Sequence, residues 1–371
     1  DDSYTTLAEL LADRGYDTAA VVSGPYLRSA FKLNQGFARY DDAAVSPAGT
    51  PAIDDVTNPQ MEAKLIAYLA QRANQKRPFF LFAYFWDPHY DYIPPPPYDT
   101  MFVPPDAAPI DVTKYDTPAN PLNHNSSPQE RAYVEAQYDG EIRFTDDTLG
   151  RVFARMKELG LWDDTVVILT SDHGEEFFDH GEKGHKNNLY VESVHVPLII
   201  KPAGEVRPRR DPRMASLVDV YPTVCEMAGV TDRVPLNHGR SLLAADAGRP
   251  IFFELTTTWY MSNRATKERW IESDQWLAVR EGQFRMIGVQ TRQTKKKQRK
   301  DNWQLFDVFA DPREMKPLSG PAHDAILARL KSQVLEWEKR MKQLGKTLGK
   351  RGQADLTPSE IRRLKEMGYL N

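Results

Sequence analysis

The sequence predicts an α/β fold: a mainly parallel, doubly wound sheet, then a small antiparallel sheet with a packed helix. Three observations predict it. Up to about residue 230, short apolar runs alternate with stretches of helical spacing, the rhythm of strand–helix–strand units. The run Val166 to Leu169 is apolar at every position and ends in Ser171-Asp-His-Gly174, as a strand buried on both faces would. From about residue 250 the rhythm changes to short strands separated by turns. The 371 residues suggest about two domains at ~150 residues each, placed at 1–245 and 246–371.

Each element has its own signal. Thr6-Leu-Ala-Glu9 is a capping box, and Leu7, Leu10 and Leu11 give the following helix an apolar face that Gly15 ends. Thr18 to Val22 reads as a short strand. Asn58 to Asn74 reads as a helix with Met61, Leu65, Ile66 and Leu69 on its buried face. Pro78 opens an apolar strand, Phe79 to Phe85, which ends in Trp86-Asp-Pro-His-Tyr-Asp-Tyr92. Pro94 to Pro97 stiffens the next loop as polyproline II, and residues 98–127, with little periodicity, read as a long surface loop. Ser127-Pro128 starts a long helix over 129–159, closed by Gly160. The strand containing Val166 to Leu169 follows, then Val196 to Ile200, then a helix ending at Gly229. Ile251–Glu254, Trp276–Arg280, Phe284–Ile287 and Trp303–Phe306 form the antiparallel sheet. Leu327, Leu330, Val334, Trp337, Met341 and Leu344 mark one face of a helix packed on it.

Composition narrows the class. Apolar residues at 41% and charged residues at 27% are those of a globular protein with a sizeable core. A net charge of −4 gives no global signal for nucleic acid. No apolar run approaches the ~18 residues of a membrane span. The single cysteine, Cys225, excludes a disulfide framework and a cysteine-rich metal site. The first residues run straight into a helix with no preceding strand and no initiator methionine, so a fragment or processed chain is expected.

The chemistry sits at strand ends. Asp172 offers a hard oxygen and His173 a neutral nitrogen, a pair suited to a divalent cation, with Gly174 allowing a tight turn after them. His89 follows the apolar Phe79–Phe85 strand, and His185-Lys186 precedes the Val196–Ile200 strand. A doubly wound sheet brings such positions to one rim. A metal, histidines and a lysine suit an anionic tetrahedral substrate, because they stabilise the charge that develops on it.

Other residues carry blander readings. His180 reads as a structural loop residue, Cys225 as a buried helix cysteine, and Asp139 and Glu141 as braces of the long helix. Lys295-Lys-Lys-Gln-Arg-Lys300 is a solvated hairpin loop or a patch that steers a polyanion. Trp259, Tyr260 and Trp270 pack a satellite core or line a sugar-binding rim. His124, His195, His238 and His323 carry no functional expectation.

Several ordered motifs together resemble the sulfatase family of the alkaline-phosphatase superfamily. They are Asp87-Pro-His-x-x-Tyr92 with its prolines, Tyr138-Asp-Gly-Glu-Ile142, Thr170-Ser-Asp-His-Gly-Glu175 and Lys186-x-x-Leu-Tyr190. Val196-Pro-Leu-Ile, Leu217-Val-Asp-x-Tyr-Pro-Thr223, Gly239-Arg-Ser-Leu242, Leu305-Phe-Asp-x-x-x-Asp-Pro-Arg-Glu314 and Leu364-Lys-Glu-Met-Gly-Tyr-Leu370 continue in register. The resemblance implies an enzyme: a sulfuric ester hydrolase holding a divalent metal, Ca²⁺ in most relatives, with Mn²⁺, Mg²⁺ or Zn²⁺ as alternatives. Asp172 and His173 match metal ligands. His89 matches a sulfate-contacting histidine and Lys186 a sulfate-contacting lysine, a place that a one-residue shift gives to His185. The implied partner is a sulfated small molecule or glycan, and the implied location is periplasmic or extracellular.

The sequence also departs from the family pattern. Asp91 stands where proline is usual. The Cys/Ser-x-Pro-x-Arg motif that yields the formylglycine nucleophile does not occur: Cys225 is followed by Glu-Met-Ala-Gly229, and Ser126-Ser-Pro128 leads to Glu130 rather than arginine. Asp1-Asp2 follows no strand and does not substitute for the family's first aspartate pair. The expectation is that nucleophile and pair lie outside these residues, leaving the 371-residue chain inactive by itself. The alternatives are a phosphonate monoester or phosphodiester hydrolase of the same superfamily, or a non-catalytic protein with this fold. A two-metal phosphoryl enzyme is disfavoured, because no aspartate has a histidine four residues later.

Overall fold

A computed structural model describes residues 4–45, 56–114, 122, 125–230, 238–244, 248–262, 269–293, 298–347, 358 and 361. Strands β1 (Asp17–Val22), β2 (Arg39–Asp41) and β3 (Phe79–Tyr84) form a parallel sheet in the order β2-β1-β3. Helices cover both of its faces. On one, Phe80 packs with Leu10 and Leu11 of α1 (Leu7–Asp13) and Cys225 of α6 (Val220–Met227). On the other, Phe79 and Leu81 pack with Met61, Leu65 and Leu69 of α2 (Asn58–Arg72) and Val152 and Met156 of α4 (Pro128–Glu158). The alternation of Phe79, Phe80 and Leu81 between two cores is the period-2 geometry of a strand.

The helix starts follow their sequence signals. Thr6 and Glu9 close a capping box on α1, and Ser127 and Glu130 close one on α4. Arg72, buried at the end of α2, is paired with Asp17 of β1 at 2.8 Å.

Strand β4 (Val167–Thr170) departs from expectation. It is partly buried rather than buried on both faces, and Val166 and Thr170 are exposed. Among the described residues its ladder is with β7 (Leu198–Lys201) alone, and that pairing is antiparallel. A strand is buried on both faces only when other layers pack on both of them. β3 likewise pairs only with β1 among the described residues, and Phe82 is exposed.

The segment read as a long surface loop is more ordered than expected. Helix α3 (Tyr98–Met101) packs on α4, with Gln137 Nε2 donating to Asp99 O at 2.7 Å. Leu122 is buried with Tyr92, Val112 and Val134. Gly140 makes the approach possible, since a Cβ there would meet Tyr98 O at 2.5 Å.

After β4 a small hairpin, β5 (Glu176–Phe177) with β6 (Lys183–Gly184), leads to α5 (Val191–Val194). The second sheet is antiparallel in the order β11-β10-β9-β8: β8 (Ile251–Ser262), β9 (Arg269–Glu281), β10 (Phe284–Gln293) and β11 (Gln298–Asp307). Its strands run longer than their apolar cores indicated. Leu330 and Val334 of α7 (Pro321–Thr347) pack on Leu277, Val279, Met286 and Leu305 of this sheet. No helix among the described residues is long and apolar enough to cross a membrane.

Candidate active site

The loop after β3 carries His89, and two buried carboxylates fix that loop. Asp87 Oδ2 accepts from Thr57 N at 3.1 Å, Thr57 Oγ1 at 3.0 Å and Asn58 N at 2.9 Å, so it caps α2 from outside the helix. Glu141 of α4 accepts the Ile93 N–H at 2.8 Å. Burial holds the Glu141 carboxyl well above the usual range and the Asp87 charge adds to this, while the Ile93 hydrogen bond opposes them. Glu141 thus braces the His89 loop as well as lying in a helix.

The turn after β4 carries Asp172 and His173. Ser171 Oγ donates to His173 O at 2.6 Å, and His173 N donates to Asp172 Oδ1 at 3.0 Å. Gly174 is required for a different reason from the expected turn. A Cβ there would sit 1.9 Å from Glu192 O, so the backbones touch.

The structure brings the predicted residues together. The His173 and His185 rings stack at 4.0 Å, His89 lies 5.6 Å from His185, and Tyr90 stacks on His185 at 5.5 Å. Lys186 Nζ is 3.5 Å from Tyr90 Oη. His173 Nε2 is 3.8 Å from Asp172 Oδ2, which accepts from Tyr84 Oη at 3.0 Å. Asp172, His173, His185 and Lys186 open onto one groove of about 1690 Å³.

The hydrogen bonds assign ring roles. His173 Nδ1 donates to Gly174 O at 2.9 Å, which leaves Nε2 as the lone-pair atom beside Asp172. His185 Nδ1 faces the Glu175 carboxylate at 3.2 Å, and both side chains are buried. His89 Nδ1 donates to Tyr90 O at 2.8 Å, while its Nε2 is buried with no hydrogen-bond partner among the described residues. Burial holds His89 well below the usual histidine range; the Tyr90 bond opposes this and the neighbouring His185, Lys186 and His173 add to it. His89 is therefore neutral near pH 7.

An oxygen and a nitrogen 3.8 Å apart, with the nitrogen lone pair free, fit two positions of a cation's shell. A second group, Glu176, His180 and Glu192, has ligand atoms within 4.8 Å of one another. Its atoms are already engaged: His180 Nδ1 with Glu192 at 2.7 Å, His180 Nε2 with Glu314 O at 3.1 Å, and Glu176 with Asn188 at 2.6 Å. It reads as a structural network, which agrees with the structural reading of His180.

Sequence reasoning missed Tyr84, Trp86 (stacked on His89 at 3.7 Å), Tyr90 and Glu175 as members of the site. Tyr84, Trp86 and Tyr90 look apolar in a strand and loop, and only the fold shows the Trp86 and Tyr90 rings facing His89 and the Tyr84 hydroxyl reaching Asp172. The Leu364–Leu370 motif, Asp1-Asp2, His124 and Lys295–Lys297 lie outside the described residues, as do the side chains of Trp259, Tyr260, Trp270 and 298–300.

With this geometry in place, comparison with known proteins is decisive. The family model described as "Sulfatase" matches residues 1–230. The chain belongs to the sulfatase family. A second model, "N-sulphoglucosamine sulphohydrolase, C-terminal", matches residues 179–340. A multifunctional alkaline phosphatase superfamily protein of Trinickia caryophylli is 29% identical over 310 residues, 74% of this chain and 58% of that protein. Mouse arylsulfatase K is 32% identical over 194 residues, 49% of this chain and 32% of that protein. The matched region thus spans from about a third to 58% of these relatives' length. The solved phosphonate monoester hydrolase of Silicibacter pomeroyi superposes with a TM-score of 0.63 at 21% identity, covering 91% of this chain and 80% of that one. At that identity the superposition speaks to fold alone. Sulfatase membership makes the chain hydrolase-like in kind, on an alkaline-phosphatase-like fold.

Proposed function

We propose that this chain forms the anion- and metal-binding part of a sulfuric ester hydrolase acting on a sulfated small molecule or glycan. The observation that carries the reading is the buried, unpartnered His89 Nε2 beside His173, His185 and Lys186. A buried polar atom without a partner is costly unless a ligand satisfies it, and the Lys186 charge beside it selects an anion.

In this reading Lys186 and His89 contact the sulfate oxygens. His89 is neutral before binding, so an arriving anion favours protonation of Nε2, which then donates to it. His185, held by Glu175, stacks with both the His173 and the Tyr90 rings and fixes its spacing to each. Asp172 and His173 hold the divalent metal; family membership makes Ca²⁺ the first candidate, and the imidazole nitrogen in the donor set keeps Mn²⁺ and Zn²⁺ as alternatives. Bound there, the metal supplies positive charge that orients the substrate and stabilises charge developing on it. A formylglycine is the nucleophile implied by family membership, and no motif for it occurs in these 371 residues. The residues assigned here are those that would surround it.

The domain division at 245/246 and a periplasmic or extracellular location belong to the same proposal. Phosphonate monoester hydrolysis is the second reading, since the Asp172–His173 pair beside Lys186 suits a phosphonate anion as well as a sulfate. The test is to titrate the chain with inorganic sulfate and Ca²⁺, and to assay the complete gene product on aryl sulfate and phosphonate esters. Sulfate binding that Lys186→Met abolishes, with sulfate esters turned over faster, supports the proposal. Absence of sulfate binding, or a preference for phosphonate esters, overturns it.

A further inference from the structure

The tetrapeptide Asp311-Pro-Arg-Glu314 has no role in the site described above, and it lies in the turn that follows β11. Yet Glu314 is 2% exposed and adopts φ +56°, a left-handed conformation that a non-glycine residue holds only when its surroundings fix it. Its contacts all lead to one place. Glu314 Oε1 pairs with Arg285 Nη1 of β10 at 2.6 Å, with both side chains buried. Glu314 Oε2 accepts the Val191 N–H at 2.9 Å, and Arg285 Nη2 donates to Leu189 O. The Glu314 carbonyl accepts from His180 Nε2 at 3.1 Å.

These bonds fall on both sides of His185 and Lys186. His180 is anchored on the amino side, and Leu189 and Val191 on the carboxyl side. Two further links repeat the pattern. Tyr190 stacks flat on His180 at 3.7 Å and donates to Gln304 Oε1 of β11 at 2.7 Å. Arg313, next to Glu314, reaches Asp179, next to His180, at 3.0 Å. A loop pinned at both ends to the same few residues has its span set by them. Between the pins, Lys186 itself holds φ +80°.

From this we infer that Glu314, acting with Arg285, is a positioning residue: the second sheet sets the placement of His185 and Lys186 at the anion site. The proposal rests on the reading of Lys186 as an anion contact. A buried ion pair costs desolvation of both ions and is not in itself a stabilising device. Here the pair also satisfies the Val191 N–H and the Leu189 carbonyl, which an apolar pair of the same volume would leave bare. The geometric role explains why charges stand there.

The test uses the 371-residue chain with inorganic sulfate as the probe. The double variant Arg285→Met/Glu314→Leu removes both charges together and avoids leaving one ion buried alone; Glu314→Gln is the milder companion if the double variant does not fold. Three readouts are taken: amide exchange by mass spectrometry, sulfate affinity by calorimetry, and melting temperature. The expected result is exchange at least tenfold faster in residues 181–191, sulfate affinity weakened about tenfold, and a melting temperature lowered by only a few degrees, the cost of the two bared backbone groups. Unchanged exchange in 181–191 overturns the proposal, as does acceleration spread evenly over the second sheet. Lys186→Met separates the two claims. If it leaves sulfate affinity intact, the anion-site reading fails, and the positioning claim then fails with it whatever the exchange shows. If Lys186→Met abolishes binding and the double variant does not weaken it, only the positioning claim fails.

Discussion

Glu141 offers a test of how the His89 loop is held. Its side chain is 4% exposed, on α4, and one carboxylate oxygen accepts the Ile93 N–H at 2.8 Å. Burial and the Asp87 charge push its pKa well above 4.5, so the folded state favours the neutral acid. Glu141→Gln keeps the acceptor oxygen and the volume and discards the charge. Its stability at pH 7 should lie within about 1 kcal/mol of the parent or above it. Glu141→Ala loses the acceptor carboxyl and one methylene. An unsatisfied, partly buried N–H costs about 1–2 kcal/mol and the methylene about 0.8 kcal/mol, for a loss of about 2–3 kcal/mol. The sign with pH follows from linkage. A raised folded pKa contributes stability that is full below the unfolded value of 4.5 and lost as pH rises through the folded value. The advantage of Glu141→Gln over the parent should therefore grow with pH above 4.5. Urea denaturation of the three proteins at pH 4.5, 6 and 8 measures this. Glu141→Gln as damaging as Glu141→Ala, or an advantage that shrinks with pH, refutes the reasoning.

Other expectations concern the metal, the histidine and the core. Asp172→Ala should lower Ca²⁺ affinity by at least tenfold in calorimetry while leaving the melting temperature within a few degrees, since its side chain is half exposed. His89 has a folded pKa below the free value of 6.5, so its contribution is present above pH 6.5 and lost as pH falls towards the folded value; His89→Gln should flatten that part of the stability–pH curve. Sulfate affinity should rise as pH falls from 8 to 6, because the bound anion favours protonated His89; an affinity independent of pH in the parent would count against this. Asp17→Ala should destabilise by about 3–5 kcal/mol in chemical denaturation, because it leaves buried Arg72 without its carboxylate partner.

Sequence by itself determined the order of the longer helices and strands, though not β2, α3, α5 or the β5–β6 hairpin, along with the capping boxes at Thr6 and Ser127 and the apolar face of α7. These depend on residues a few positions apart, where helix and strand periods act directly. It also singled out His89, Asp172 and His173, because polar residues just past apolar runs stand out against them, and His185 and Lys186, which precede the next apolar run. Tertiary structure alone decided how those residues meet. The stacking of His173 on His185, the Tyr84 bond to Asp172 and the Glu175 bond to His185 join chain segments 10 to 88 positions apart. The real reason for Gly174 was hidden in the same way, since Glu192 lies 18 residues on and no local pattern reveals a backbone contact. β4 read as buried on both faces from four apolar residues, yet burial is set by what packs over each face of the sheet and not by the strand's own composition. Glu314 shows the limit most clearly: an acidic residue in a turn after a strand reads as solvated, and the fold instead buries it against Arg285, where only three-dimensional packing supplies the partner that makes a buried charge tolerable.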